Sequence, residues 1–142
     1  MDEKKLAYLA LKAQNRAYAP YSHFQVGAAL ACADGRIYTG ANIENGAFSP
    51  SCCAERTAFY QAVLDGQRSF AAIAIAGGPG GSAPAFCAPC GVCRQVMREF
   101  CGEDFVILLA RQDGTIRRFT LAQLLPESFT LTEAAPDHPS PF

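Results

Sequence analysis

Three cysteines in this sequence have the spacing of metal ligands. Cys90 and Cys93 form a Cys-x-x-Cys motif behind Pro89, and positions i and i+3 share one face of a helix's first turn, so both sulfurs can reach one ion. Such a motif alone is equally typical of redox dithiols. Cys53 precedes a second helical pattern, and a third thiolate would complete the ligand set of a catalytic zinc ion, which leaves one position open.

Two charged residues follow Cys53 closely in the sequence. Glu55 lies two positions away, so its side chain points in a different direction from the sulfur, and a free carboxylate there can move protons between water and a substrate. As a fourth ligand, Glu55 would instead close the site. Because three thiolates carry more negative charge than Zn²⁺ neutralises, we expect Arg56 to donate hydrogen bonds to the sulfurs. Arg94, which follows Cys93, is expected to have a structural role.

Alternating helical and strand patterns surround these residues. Apolar periodicity predicts helices over 3–17, 53–64, 89–101 and 120–125, and strands over 25–33, 36–40, 70–76, 105–110 and 116–119. The Asp-Gly pairs at 34–35 and 113–114 mark turns, and we expect segment 77–82 to be a flexible turn. The order of elements predicts an α/β fold, in which a mixed five-stranded sheet lies between helices in a three-layer α/β/α sandwich.

Two of these helices would place the cysteines at one edge of the sheet. The helices that begin at Cys53 and Cys90 fit the role of crossovers between parallel strands. Their N-termini would then meet at the carboxyl ends of the strands, where ligands bind in open α/β sheets. The positive ends of the helix dipoles favour thiolates there. We therefore expect Cys53, Cys90 and Cys93 to bind one catalytic zinc ion.

The size, charge and cysteine content of the chain narrow its possible classes. With 142 residues we expect one domain, and a net charge of −1 argues against nucleic-acid binding, which needs many basic contacts to phosphates. No apolar stretch approaches the ~20 residues needed to span a membrane. Residues 1–5 lack the features of a secretory signal, so we expect a cytoplasmic protein. An odd number of cysteines, 7, argues against a disulfide framework.

The cysteine and glutamate motifs resemble those of the zinc-dependent nucleoside deaminases, whose signature combines a ligand-x-Glu motif with Pro-Cys-x-x-Cys. Cysteine rather than histidine at position 53 looks like the small cytidine deaminases that act on free nucleosides. Three further segments resemble motifs of this family in the same order, namely 21–29, 42–45 and 124–129. The resemblance covers residues 5–129 and implies the cytidine deaminase-like form of the sandwich.

The resemblance also implies a reaction. Cytidine and 2′-deoxycytidine would be hydrolysed to uridine and 2′-deoxyuridine with release of ammonia, a step of pyrimidine salvage. Zinc hydroxide would attack C4 of the base, while Glu55 would protonate first the ring nitrogen and then the departing ammonia. Burial would hold the Glu55 carboxyl near neutral for this dual task.

Residues for substrate binding are implied by the same resemblance. Phe24 would pack against the pyrimidine ring, and Asn42 and Glu44 would hydrogen-bond the ribose 3′-hydroxyl. The backbone N–H of Ala54 would donate to the pyrimidine carbonyl oxygen, and the carbonyl of Pro89 would accept from the leaving amine. Ordinary structural interpretations stand beside these, since Phe24 could be a core aromatic and Asn-rich loops commonly bond to themselves.

Assembly is the last property that the resemblance implies. The family typically forms a homotetramer with one zinc ion per subunit, in which neighbours complete each site. Phe48 and Phe129 would come from adjacent subunits, and Phe48 stands where relatives usually carry Tyr. Residues 1–129 would form the catalytic domain, whereas 130–142 contain three prolines and few apolar residues, which is typical of a mobile tail. The Gly/Pro-rich segment 77–89 differs from a minimal member and has no function assigned.

Three other interpretations fit parts of these observations. A deaminase for a different amine-bearing ring, of the blasticidin S type, would share the three cysteines without needing Asn42 and Glu44. A non-catalytic zinc-stabilised binding module would have a fourth protein ligand, and Cys52 and Cys87 lie close enough in sequence to compete for that place. A redox protein would interconvert the Cys-x-x-Cys motif with a disulfide.

Overall fold

A computed structural model of the chain describes residues 1–131. The elements in this range are α1 Glu3–Ala13, β1 Phe24–Cys32, β2 Ile37–Ala41, α2 Ala54–Leu64, β3 Phe70–Pro79, α3 Gly91–Phe100, β4 Val106–Ala110, β5 Ile116–Thr120 and α4 Leu121–Leu124. A short 3₁₀ helix, Gln14–Arg16, extends α1. The elements follow the order that the sequence predicts, with bounds that differ by a few residues.

The strands form one mixed sheet in the order β2-β1-β3-β4-β5. Strand β1 is antiparallel to both β2 and β3, β3 and β4 are parallel, and β5 is antiparallel to β4. Since β2 and β3 both run opposite to β1, they point in the same direction although they are not neighbours. Helix α2 links β2 to β3 and helix α3 links β3 to β4, so both helices begin at the same edge of the sheet.

Helices cover both faces of this sheet. Helix α1 packs on one face over a cluster rich in alanine, whereas α2, α3 and α4 contribute to a core on the other face. Phe59 of α2 is fully buried there, with its ring centroid 5.1 Å from that of Phe70 and 6.0 Å from that of Phe100. The predicted three-layer α/β/α sandwich with a mixed five-stranded sheet is therefore confirmed.

The first turn of α2 lies directly against β2 at Gly40. A Cβ atom on this glycine would lie 2.3 Å from Oγ1 of Thr57 and 2.4 Å from the carbonyl oxygen of Ala54, closer than any side chain allows. Oγ1 of Thr57 also donates a hydrogen bond to the carbonyl oxygen of Ala41 at 3.1 Å. The absence of a side chain at Gly40 therefore lets the start of α2, with Cys53, approach the end of β2.

Two predicted element bounds need correction. The first helix is α-helical only to Ala13 and then tightens into the 3₁₀ turn. The flexible turn predicted over 77–82 is wrong for its first half, because β3 continues through Pro79 and stays paired with the start of β1. The chain reverses at Gly80 and Gly81, whose φ angles of 60° and 80° favour glycine.

The end of the described chain runs along α3. Nε of Arg98 donates a hydrogen bond to Oγ of Ser128 at 2.9 Å. The mobile tail predicted for 130–142 lies, from residue 132 onwards, outside the described residues. Within residues 1–131, the structure contains no helix with the length and apolar character needed to cross a membrane.

Candidate active site

Three sulfur atoms meet where α2 and α3 begin. Cys53 is the N-cap residue of α2, Cys90 is that of α3, and Cys93 lies in the first turn of α3. Sγ of Cys90 is 3.8 Å from Sγ of Cys53 and 3.4 Å from Sγ of Cys93. The N–H of Cys93 also donates to Sγ of Cys90 at 3.5 Å, so the backbone of α3 holds this sulfur in place.

The arrangement of the sulfurs fits a zinc ion. Ligands at about 2.3 Å in a tetrahedron place sulfurs roughly 3.8 Å apart, and all three sulfurs here lie within 4.8 Å of one another. Among residues 1–131, no other His, Cys, Asp or Glu side chain joins this group. Cys52 and Cys87, the predicted competitors, are therefore outside it. Three protein ligands without a fourth leave one position open, as in catalytic zinc sites.

Arg56 supplies positive charge beside the sulfurs, as the sequence predicts. Its Nη2 donates to Sγ of Cys53 at 3.4 Å. Hydrogen bonds from Cys93 and then from Arg56 lower the pKa of the Cys53 thiol to about 5, which favours the thiolate form of this sulfur. The same contact raises the pKa of the Arg56 guanidinium. Nε of Arg56 is buried and has no hydrogen-bond partner among the described residues.

Glu55 lies in the first turn of α2 beside the cluster. Only 4 % of the residue is exposed, and burial, reinforced by the negative charge of Cys53, raises the pKa of its carboxyl to about 7. A carboxyl with this pKa gains and loses a proton near neutral pH. The three-sulfur group does not include Glu55, so its carboxyl lies beside the cluster as an additional titratable group.

A pair of backbone hydrogen bonds brings the predicted ribose-binding segment beside the cluster. The N–H of Ile43 donates to the carbonyl of Cys52, and the N–H of Cys52 donates to the carbonyl of Ile43, both at 2.9 Å. Asn42 and Glu44 flank Ile43 in the sequence, and Cys53 follows Cys52. The loop over 44–51 therefore returns to its starting point and sets these side chains near the first ligand.

The side chains of Asn42 and Glu44 support the segment that leads into β1. Asn42 accepts a hydrogen bond from the N–H of Val26 at 2.8 Å and donates one to the carbonyl of Phe24 at 2.9 Å. Glu44 accepts from both the N–H and the hydroxyl of Ser22, which lowers the pKa of its carboxyl. The sequence does not predict these contacts, which hold Phe24 in place relative to the cluster.

The three predicted aromatic contacts lie in different settings. Phe24, at the start of β1, is 39 % exposed, and Phe48, in the loop before Cys53, is 75 % exposed with a φ of 60°. Phe129 is 61 % exposed, and its carbonyl accepts a hydrogen bond from Nε2 of Gln95 on α3 at 3.4 Å. Phe48 and Phe129 are thus outside the core of this chain, and their rings are available to another molecule.

Ala54 and Pro89 lie at the starts of the two helices. Ala54 is buried and is the first residue of α2, so its N–H has no acceptor within the helix. Pro89 is also buried, and its carbonyl accepts a hydrogen bond from Arg94. Sequence reasoning missed this contact because the spacing of residues does not reveal which acceptor a guanidinium reaches. Arg94 also donates to the carbonyl of Leu124, which agrees with the structural role expected for it.

Known proteins are similar to this chain in sequence and in fold. Residues 1–109 match the zinc-binding region of cytidine and deoxycytidylate deaminases. The chain is 49 % identical to a cytidine deaminase of Sporosarcina psychrophila, over 92 % of this chain and 93 % of that protein. Its structure is similar to that of a cytidine deaminase from Burkholderia pseudomallei, with a TM-score of 0.84 and 41 % identity over 91 % of this chain and 100 % of that one. A cytidine deaminase from Mycobacterium tuberculosis is similar at a TM-score of 0.78 and 36 % identity, over 92 % and 99 %.

Proposed function

Because this chain belongs to the zinc-binding family of cytidine and deoxycytidylate deaminases, we propose that it hydrolyses cytidine and 2′-deoxycytidine to uridine and 2′-deoxyuridine with release of ammonia. The observation that carries the proposal is the buried Glu55 carboxyl beside an open three-cysteine cluster. A purely structural zinc site would close with a fourth ligand and would have no use for a buried acid that titrates near neutral pH. The reaction belongs to pyrimidine salvage.

Cys53, Cys90 and Cys93 would hold one zinc ion per subunit. When bound, the ion supplies Lewis acidity and lowers the pKa of water. The N-termini of α2 and α3 favour negative charge at the cluster, and Arg56 offsets part of that charge through its hydrogen bond to Sγ of Cys53.

Glu55 would move the protons of the reaction. Its carboxylate oxygen accepts a proton from the attacking water and delivers it to the ring nitrogen N3, after which a second proton transfer releases the amine as ammonia. A pKa of about 7 suits both directions of transfer, because neither the acid nor the carboxylate form is then strongly favoured. Burial of the side chain excludes bulk water from this exchange.

Four residues would orient the nucleoside. Phe24 packs against the ring, and the N–H of Ala54 donates to the 2-oxo oxygen. Asn42 and Glu44 hydrogen-bond the ribose 3′-hydroxyl. In Asn42 each amide atom makes one hydrogen bond to the backbone of β1, so its oxygen retains a lone pair and its nitrogen a second N–H for the ribose.

Assembly and location belong to the same proposal. The chain would form a homotetramer in which neighbouring subunits contribute Phe48 and Phe129 to each other's sites, which gives these exposed rings a partner. Phe48 has no hydroxyl, so its contact would be apolar. Residues 1–129 would form the catalytic domain. Three thiolate ligands persist best in a reducing compartment, so we place the protein in the cytoplasm.

The test is an ultraviolet absorbance assay on cytidine, 2′-deoxycytidine, cytosine, CMP and blasticidin S, with and without a chelator. We expect turnover of the two nucleosides, its loss on chelation and its return with added zinc. Turnover of blasticidin S without cytidine would replace the proposal with the alternative deaminase. Stably bound zinc without turnover of any compound would point to a non-catalytic binding module.

A further inference from the structure

Hydrogen bonds and side-chain packing hold the Gly/Pro-rich segment 77–89, which we call the 77–89 wall, beside the active site. The carbonyl of Ser82 accepts a hydrogen bond from Nε2 of the fully buried Gln14 at 2.9 Å. Ala83 is also fully buried, and its N–H and carbonyl both bond to Gln112, at 2.8 and 2.9 Å. The first half of the segment is therefore tied to both α1's 3₁₀ extension and the β4–β5 turn.

The second half of the segment is held by Phe86. The guanidinium carbons of Arg111 and Arg117 lie 5.0 and 4.7 Å from the centroid of its ring, within the range of a cation–π contact. Phe86 also packs against the core cluster on the face that carries α2 and α3. These contacts fix the position of the next residue, Cys87.

The side chain of Cys87 lies close to that of Phe24. A Cβ atom on Gly77 would lie 2.7 Å from Sγ of Cys87 and 3.1 Å from Cε1 of Phe24, so both side chains approach Gly77 from the same side. Burial raises the pKa of the Cys87 thiol to about 11, and the negative charges of Glu55 and Cys53 contribute to this rise. The thiol is therefore a small neutral group within electrostatic range of both residues.

Only one edge of a cytosine ring is left without a proposed contact and could therefore lie against the 77–89 wall. The proposed function assigns N3 and the amine to Glu55 and the 2-oxo oxygen to Ala54, which leaves the apolar C5–C6 edge. Phe24 borders the ribose side, because its carbonyl is bonded to the side chain of Asn42. Cys87 lies three residues before the ligand Cys90, and C5 is the ring atom next to the reacting carbon, so we assign the C5 end of this edge to Cys87.

We propose that Cys87 is a specificity-determining residue, whose small side chain sets the space available to a substituent at C5 of the base. The inference rests on the proposed function and names a substrate class, the 5-substituted cytidines. The thiol occupies part of the space next to C5, so a smaller side chain would leave more room for a 5-methyl group, whereas a longer branched side chain would fill that room. One methylene group in an apolar pocket changes discrimination about 10-fold or more.

The experiment compares kcat/KM for cytidine and 5-methylcytidine in the wild type, Cys87→Ala and Cys87→Ile. We expect the ratio for 5-methylcytidine over cytidine to rise about 10-fold in Cys87→Ala and to fall about 10-fold in Cys87→Ile. Cys32→Ala, which truncates a buried cysteine in the core, is the matched control and should leave the ratio within about 2-fold. Cys87→Val replaces Cys87→Ile if the larger side chain prevents folding.

Equilibrium binding separates this inference from the proposed function. Calorimetric dissociation constants of uridine and 5-methyluridine for the zinc-loaded variants should change in the same direction as the kinetic ratio. A protein that does not deaminate cytidine, but whose binding ratio follows residue 87, would overturn the proposed function and support the pocket assignment. Normal cytidine turnover, with both ratios unchanged in Cys87→Ala and Cys87→Ile, would overturn the role of Cys87.

Discussion

The carbonyl oxygen of Pro89 accepts a hydrogen bond from Nε of Arg94 at 2.8 Å. The same guanidinium donates through Nη1 to the carbonyl oxygen of Leu124 at 2.6 Å, so Arg94 ties the loop before Cys90 to the end of α4. A carbonyl oxygen has two lone pairs. Pro89 can therefore be held by Arg94 and still accept a hydrogen bond from the leaving amine that we assign to it.

Arg94→Ala should destabilise the protein. The substitution leaves two carbonyl groups without their charged donor, and hydrogen bonds from charged groups contribute about 1.5–3 kcal/mol each, so we expect the free energy of unfolding to fall by about 3 kcal/mol. Urea denaturation measures the change. Arg68→Ala is the control, because Arg68 also donates to two backbone carbonyls but is exposed. Equal losses in the two variants would contradict a special role for Arg94.

Glu55→Gln should abolish turnover while zinc stays bound. An amide of the same shape cannot accept and return a proton, and loss of a general acid–base group lowers the rate by 10²–10⁴-fold, so we expect kcat to fall by about 10³-fold or more. Metal analysis of the purified variant should still find about one zinc per chain. Glu103→Gln, at an exposed position, is the control. Near-normal turnover in Glu55→Gln would show that Glu55 does not transfer the protons of the reaction.

The metal-free protein should lose stability as the pH rises through the titration of Glu55. Burial raises the pKa of this carboxyl from 4.5 to about 7, so between these values the folded chain keeps a proton that the unfolded chain has released. Each pH unit contributes about 1.4 kcal/mol. This group should therefore lower the free energy of unfolding by roughly 3 kcal/mol across the interval, and the loss should persist at higher pH.

Urea unfolding in the presence of a chelator and a reductant, from about pH 5 to 8, measures this effect. The amide introduced by Glu55→Gln carries no charge at any pH, so this variant should not show the loss of stability that comes from the buried carboxyl. The difference in stability between the wild type and Glu55→Gln should therefore shift in favour of the variant as the pH rises. Stability curves that stay parallel would show that the buried carboxyl keeps an ordinary pKa.

Removing the Arg56 guanidinium should weaken zinc binding. Its hydrogen bond to Sγ of Cys53 supports the thiolate, and loss of such a contact around a metal ligand costs about 10–100-fold in affinity. We expect Arg56→Gln to show this loss in competition with a chromophoric chelator. Arg56→Lys keeps the positive charge but not the planar geometry of the guanidinium, so its affinity for zinc should lie between those of the wild type and Arg56→Gln. If Arg56→Gln bound zinc with wild-type affinity, the hydrogen bond from Arg56 to Cys53 would have no role in metal binding.

Glu44→Gln should raise KM for the nucleosides more than it lowers kcat. We expect an increase of about 10-fold or more, because a charge-assisted hydrogen bond from the ribose hydroxyl to the carboxylate is stronger than the neutral one that an amide can accept. Ser22→Ala separates the two roles of Glu44, since it removes one contact of the carboxylate within the chain and leaves the charge for the ribose. Equal effects of the two variants would mean that Glu44 only supports the segment before β1.

Local patterns predicted much of the site because they depend on short-range geometry. Cys90 and Cys93 share a face of one helical turn, so their three-residue spacing already brings the sulfurs together. Cys53 and Glu55 were likewise set at a helix N-terminus by the apolar periodicity that follows them. The open zinc site and the α/β/α order required only these local signals and the rule that crossover helices begin at one edge of a sheet.

The tertiary structure decided the contacts that cross between elements. Asn42 reaches the backbone on both sides of Gln25, Arg94 reaches Pro89, and Gln112 reaches the backbone of Ala83. Such contacts depend on strand register, and shifting a strand by one residue turns every side chain to the opposite face. Strand pairing also explains why the turn predicted over 77–82 is wrong for its first half. Pairing with β1 extends β3 to Pro79, although the glycines there favour a turn locally.

The cysteine spacing, Glu55 and the order of elements determined from sequence alone that an open metal site lies at one edge of a sandwich, since each is a property of neighbouring residues. Only the folded chain decided that Arg94 holds the carbonyl of Pro89, that Asn42 joins Phe24 to Val26, and that β3 continues to Pro79. Burial and hydrogen bonding across elements are properties of the whole packing, and no segment of the sequence contains them by itself.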